Sequence, residues 1–241
     1  MKIEHRVVSG GAAVAVAAGV LVGAGGAAGA ETLKFRIEVP RHLSVSKGEY
    51  SKSCAMDVWV WGTEGSTVAY SKVSLIGPDG ETGPPYNRVL PGYQVGYGVG
   101  CATVPQDAGK YRIRVVAYNK SGKALGSRED YWYEKLDTVV QNFNAAPEPV
   151  RKGKTLYVSG RLRRVNNIGT GYTGYSGKSM RIYFRPKGGK TWTYMGSAKT
   201  NSSGDFRKGF TAKASGTWRA YFPGTSRFDK QASRDDYVQV R

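Results

Sequence analysis

Met180-Arg181-Ile182-Tyr183-Phe184-Arg185-Pro186 and Gly216-Thr217-Trp218-Arg219-Ala220-Tyr221-Phe222 decide the fold class. In each stretch an apolar residue is followed by a basic or hydroxyl-bearing one, with a period of two. Successive side chains of a strand point to opposite faces, so this pattern predicts half-buried β-strands. Met180, Ile182 and Phe184 are expected inward, with Arg181, Tyr183 and Arg185 outward. Trp218, Ala220 and Phe222 are likewise inward, with Arg219 and Tyr221 outward.

The same reading extends along the chain. Strands are predicted at 155–162, 180–185, 191–198, 205–212, 217–222 and 236–241. Thr200-Asn201-Ser202-Ser203-Gly204-Asp205 supplies a hairpin turn. Helical periodicity is nearly absent, while Tyr, Val, Thr and Trp are frequent between Gly-rich turns. The expected fold class is all-β.

A repeat organises these strands. Lys47-Gly48 matches Lys152-Gly153, Pro78 matches Pro186, and Gly109-Lys110-Tyr111-Arg112 matches Gly216-Thr217-Trp218-Arg219, at offsets of 105, 108 and 107 residues. Three landmarks in one order at one spacing imply two copies of one unit. Each copy has the size of an immunoglobulin-type sandwich, about 100 residues. Asn142-Phe143-Asn144-Ala145-Ala146-Pro147-Glu148-Pro149 is the expected seam, because its prolines interrupt strand pairing. Asp107-Ala108-Gly109-Lys110-Tyr111 resembles the entry to strand F of that fold, although Ile113 stands where a second cysteine would be.

The expected organisation is a leader at 1–30 and two tandem immunoglobulin-like β-sandwiches at 31–141 and 142–241. Lys2 and Arg6 precede an uncharged run from Val7 to Ala27, and Ala28-Gly29-Ala30 has the small residues of a signal-peptidase site. Cleavage near Ala30, with no membrane anchor left afterwards, makes the mature protein extracellular. Cys54 and Cys101 are the only cysteines, and a pair in an exported chain reads as one disulfide. Cys54 shares its parity with Met56, Val58 and Val60, so the bridge is expected inside the first sandwich. Closing a loop of about 47 residues would contribute about 3–4 kcal/mol.

The net charge of +18 is unevenly placed. Residues 31–141 hold 14 basic and 12 acidic side chains, whereas residues 142–241 hold 20 basic and 5 acidic. The second half therefore suits an acidic partner.

Asn144–Thr155, Lys199–Phe206, Gly216–Thr225 and Asp235-Asp236-Tyr237-Val238 resemble the C-terminal domain of secreted two-domain proteins of high-GC Gram-positive bacteria. That family carries a preceding immunoglobulin-like domain with a cysteine pair. The resemblance implies fold and export, and supplies no catalytic residues. Some members are labelled calcium-binding. That label is not carried over, because the second half is so basic.

Catalysis finds little support in the residues. After the leader only His42 remains to serve a nucleophilic site. Asp57 with Glu64, or Asp79 with Glu81, are the carboxylates of the first half that could flank a substrate, although Asp79-Gly80 is itself a turn motif. Asp205 with Asn201, and Asp229 with Asp235 and Asp236, are the densest oxygen clusters for calcium, without an Asp-x-Asp-x-Asp-Gly loop. No enzyme, cofactor or metal is expected.

The outward face of the second sandwich is more informative. If its C, F and G strands lie side by side, Arg181, Tyr183, Arg185, Arg219, Tyr221, Tyr237 and Arg241 form one platform. Guanidinium groups match phosphate or carboxylate in bidentate fashion, and tyrosine stacks on sugar faces. The expected function is a secreted non-catalytic module contacting an anionic polymer, teichoic acid or an acidic polysaccharide. No motif that reads nucleic-acid sequence occurs. The alternatives are a polysaccharide-active enzyme using carboxylates of the first domain, or a calcium-binding envelope protein. The plainest competing reading is that Arg and Tyr simply suit exposed strands. The loop Val165–Lys178, rich in Gly and Tyr, reads either as a binding loop or as aromatic packing over one end of the sandwich.

Overall fold

The computed structural model describes residues 14–22, 32–40, 42–45, 56–80, 86–99, 102 and 104–241. Every regular element among them is a strand. They are β1 (Val14–Val22), β2 (Thr32–Pro40), β3 (His42–Val45), β4 (Met56–Glu64), β5 (Tyr70–Ile76), β6 (Tyr86–Val89), β7 (Gln94–Val99), β8 (Gly109–Tyr118) and β9 (Ala124–Leu136) in the first half. In the second half they are β10 (Thr138–Ala146), β11 (Thr155–Val165), β12 (Tyr172–Gly174), β13 (Ser179–Pro186), β14 (Thr193–Lys199), β15 (Asp205–Thr211), β16 (Gly216–Phe222), β17 (Gln231–Ala232) and β18 (Asp236–Val238). No helix among the described residues is long and apolar enough to cross a membrane.

The chain divides into two units. In the first, one sheet has the order β1-β2-β4-β7 and the other the order β3-β9-β8-β5-β6. Their facing sides supply one core. Leu33, Phe35, Ile37 and Val39 come from β2, Val58 and Val60 from β4, and Ile113, Val115 and Ala117 from β8, closed by Trp132 of β9. Each set keeps the period of two that a pleat requires. The ring of Tyr111 stacks on Trp132 at 5.3 Å. The apolar run of the expected leader provides β1, antiparallel to β2 from Val14↔Pro40 to Val22↔Thr32. The expected cleavage point at Ala30 and both cysteines, Cys54 and Cys101, lie outside the described residues.

The second unit contains Lys135–Arg241 and, from the first half, 44–45, 102 and 104–109 among the described residues. It begins seven residues before the expected boundary, within the last residues of β9, and β10 runs through the expected seam. Thr138–Gln141 and Asn144–Ala146 both pair with β11, and only after Ala146 do Pro147 and Pro149 end the strand. One sheet has the order β10-β11-β12 with β15 also on β11, and the other the order β14-β13-β16-β17 with β18 also on β16. Leu156, Val158, Leu162 and Phe206 of the first face Met180, Ile182, Trp218, Ala220 and Val238 of the second, all buried. Trp218 spans the two layers, with its ring 4.9 Å from Phe184 and 5.0 Å from Phe210. Gly216 opens β16 because a Cβ there would lie 2.4 Å from the Arg185 carbonyl oxygen.

Two of the three expected repeat landmarks are visible in the pairing, while Lys47-Gly48 lies outside the described residues. β5 runs antiparallel to β8 from Tyr70↔Tyr118 to Ile76↔Arg112, and β13 antiparallel to β16 from Arg181↔Tyr221 to Pro186↔Gly216. Pro78 and Pro186 close the first strand of each pair. The protein is all-β, with tandem immunoglobulin-like β-sandwiches.

Candidate functional site

The site begins with alternation. Along β16 buried and half-buried residues alternate without a break, so Trp218, Ala220 and Phe222 go into the core while Arg219 and Tyr221 come out. Met180 and Ile182 of β13 are buried, which leaves Arg181, Tyr183 and Arg185 on the outer face. Val238 of β18 is buried, and Tyr237 beside it is 43% exposed.

Register then sets the pattern across the face. Arg181 lies opposite Tyr221, Tyr183 opposite Arg219, and Arg185 opposite Thr217. Thr217 in turn lies opposite Tyr237. On the other side of β13, Tyr183 is opposite Tyr194 and Arg181 opposite Ser197. The six residues Arg181, Tyr183, Arg185, Arg219, Tyr221 and Tyr237 therefore share one surface. Arg241 does not join them. The strand ends at Val238, Val240 bridges to Val150, and the Arg241 backbone bonds to Val150 and Lys152 past the Gly216 end of β16.

Three residues outside the expected set complete the face. The indole of Trp192, just before β14, lies under both arginines, with the Arg185 guanidinium 4.6 Å and the Arg219 guanidinium 4.4 Å from its ring. Asp235, just before β18, accepts from Arg219 Nε at 2.6 Å and lies 3.7 Å from the Arg185 guanidinium. Two arginines are thus held by an aromatic plate and a shared carboxylate, whereas Arg181 stands exposed. Tyr194, 55% exposed, meets Tyr183 edge-on at 5.7 Å. Three guanidiniums against one carboxylate leave the face cationic, and its tyrosines offer ring faces and hydroxyls beside the charge.

The carboxylates considered for calcium have other partners. Arg161 grips Asp205 with Nε at 2.5 Å and a terminal nitrogen at 3.2 Å. The hydrogen bond from Arg161 holds the Asp205 carboxyl below the usual carboxylate range. Asn201 Oδ1 accepts from the Ser203 and Asp205 backbone N–H groups, which makes it a turn-forming side chain. Asp235, just before β18, and Asp236, its first residue, diverge as successive residues of extended chain do. Asp235 goes to the arginines, while Asp236 Oδ2 accepts from the Ala145 N–H at 2.6 Å. Among the described residues no three His, Cys, Asp or Glu side chains gather to hold a metal ion.

Among the described residues of the first unit the buried carboxylates are Asp130 and Glu134, which the sequence pattern does not single out. Trp132 Nε1 donates to Glu134 Oε1 at 3.0 Å, so Glu134 serves the core tryptophan. Four residues apart on one strand, Asp130 and Glu134 are separated by about 13 Å, beyond the roughly 5–9.5 Å of paired glycosidase carboxylates. In the Val165–Lys178 loop, Tyr172–Gly174 forms β12 against β11. The Tyr175 ring packs on Phe222 at 5.6 Å and Phe228 at 4.9 Å. Tyr175 accordingly belongs to the packing at one end of the sandwich.

No family model matches the chain, and no curated protein matches it in sequence. Several solved structures are similar at low identity. A tetra-tandem repeat from the extending region of a large adhesion protein has a TM-score of 0.40 at 10% identity, over 87% of this chain and 57% of that one. The fibronectin(III)-like modules of Clostridium thermocellum CbhA have a TM-score of 0.34 at 15% identity, over 83% and 90%. The amphioxus IgVJ-C2 molecule has a TM-score of 0.37 at 9% identity, over 82% and 99%. The chain spans 57% of the length of the adhesion repeat it matches.

Proposed function

We propose that this is an exported, non-catalytic binding module whose second sandwich holds an acidic polysaccharide on the outer face of β13, β16 and β18. The observation that carries the reading is the shared face itself. Arg181, Arg185 and Arg219 stand among Tyr183, Tyr194, Tyr221 and Tyr237 on neighbouring strands about 4.8 Å apart. Guanidiniums pair with carboxylates along a chain, and exposed tyrosine rings cover sugar faces. A purely phosphate-bearing polyol such as teichoic acid would use the charge but leave the rings without a partner. The strand-borne position favours a preformed surface, since sites on sheets are held more rigidly than sites on loops.

Retention on polygalacturonate, on purified teichoic acid and on a neutral glucan, each at low and high salt, tests the reading. Binding to polygalacturonate above teichoic acid, weakened by salt and absent on the glucan, is expected, because neutralised charges release counterions. Equal retention on both polyanions would reduce the face to a basic surface, and turnover of the polymer would point to the enzymatic alternative.

A further inference from the structure

A second feature of the same unit lies at the bulge of β10 and is independent of the arginine face. Gln141 pairs with Arg161 and Asn144 with Ser159, so Asn142 and Phe143 together oppose the single residue Gly160. Gly160 must remain bare there, because a Cβ would press into the Phe206 ring at 2.7 Å. Asn142 absorbs the extra residue with a left-handed φ of 51°. The inward set consequently passes from Thr138 and Val140 to Phe143 and Ala145, and a cleft of about 500 Å³ opens, lined by Val140, Gln141, Asn142, Phe143 and Arg234. Bulges recur beside functional sites because they redirect side chains in this way.

Among the described residues, Arg234 is the single charged one lining this cleft. Its backbone is anchored on both sides. Ser233 Oγ accepts from the Ala220 N–H at 2.9 Å and donates to the Arg234 carbonyl at 2.7 Å, and the Ser233 N–H bonds to the Ala220 carbonyl. Two residues on, Asp236 is tied to the Ala145 N–H of β10. The Arg234 guanidinium has no hydrogen-bond or ion-pair partner among the described residues, whereas Arg161, Arg185 and Arg219 are all engaged. Gln141 Oε1 accepts from Arg163, and the Gln141 amide N–H groups donate to no side chain or carbonyl among the described residues.

We infer that this cleft binds one carboxylate-bearing sugar, a uronic acid. One guanidinium matches one carboxylate in bidentate geometry, and the single charge favours a monoanion over a phosphate dianion. Phe143, half-buried, offers an apolar wall for the ring carbons, and the Gln141 and Asn142 amides suit hydroxyl groups.

The experiment is a titration of the isotope-labelled full chain with D-glucuronate, D-glucose and inorganic phosphate, followed by amide chemical shifts. Glucuronate should perturb Gln141–Ala145 and Arg234 with a roughly millimolar Kd, as expected for a ligand of this size. Glucose and phosphate should bind at least about tenfold more weakly. R234Q and F143A should each lower glucuronate affinity at least about fivefold, and R234K should recover only part of it. K187Q/K190Q/K213Q, three exposed lysines that belong to neither site, should leave it unchanged, so loss of this site and loss of bulk charge are told apart. Equal affinity for glucose or phosphate, full affinity in R234Q with an unchanged spectrum elsewhere, or no shift at tens of millimolar glucuronate would overturn the inference.

Discussion

Asp235→Asn should tighten the grip of the arginine face on an anionic polymer. Asp235 is the face's own counter-ion, 2.6 Å from Arg219 Nε and 3.7 Å from the Arg185 guanidinium. A polymer lying over the middle of the face sits about one and a half strand spacings away, roughly 7 Å. At that distance, with an effective dielectric between about 40 and 80, one repulsive charge costs roughly 0.6–1.2 kcal/mol. Removing it should raise affinity about three- to sevenfold and steepen the log–log salt dependence by up to roughly 0.7. The side chains of Arg219 and Asp235 are each 35% exposed, so solvent screening keeps the pair's own contribution to stability within about 1 kcal/mol. Melting should accordingly shift by no more than about 5 °C. Isothermal titration with polygalacturonate at several salt concentrations measures the effect. A loss of affinity in the Asn variant, with stability intact, would show that Asp235 positions the arginines for binding, and would refute its role as a competitor.

Three further outcomes follow from the packing and charge. Trp218→Ala, which empties the contact between Phe184 and Phe210, should cost about 3–5 kcal/mol and lower the denaturation midpoint of the second unit; a change under about 1 kcal/mol would remove Trp218 from the centre of the core. The Asp205 carboxyl should titrate below an ordinary aspartate because Arg161 donates to it, so the small stabilisation it gives is present above the ordinary carboxylate range and lost as pH falls through the lowered value. Carboxyl NMR of Asp205 should show its titration return upward in R161Q; an unchanged titration would assign the shift elsewhere. Thiol titration of the unfolded, non-reduced exported protein should find Cys54 and Cys101 unreactive, and two free thiols would exclude the bridge.

What the sequence made legible was orientation, and what it hid was register. Met180, Ile182, Trp218 and Ala220 announce their burial by alternation alone, and the outward set follows from parity. Nothing in a single strand's pattern says which residue of the next strand lies beside it. Trp192 and Asp235 precede β14 and β18, and only the cross-strand pairing brings them to Arg185 and Arg219. Parity extended past Val238 puts Arg241 with the face, whereas the chain there bonds to Val150 and Lys152. The bulge of β10 escaped for a related reason. Its extra residue breaks the alternation at Asn142, and the two prolines after Ala146 made a boundary the simpler reading.

The most direct test of the account compares two triple variants of the full chain on polygalacturonate. R181Q/R185Q/R219Q empties the face of its arginines, while K187Q/K190Q/K213Q removes the same charge from exposed positions off the face. The account predicts that the first variant loses affinity more than about tenfold and the second less than about threefold at the same salt, with both folded. Equal losses in the two would contradict it, since only total charge would then govern binding.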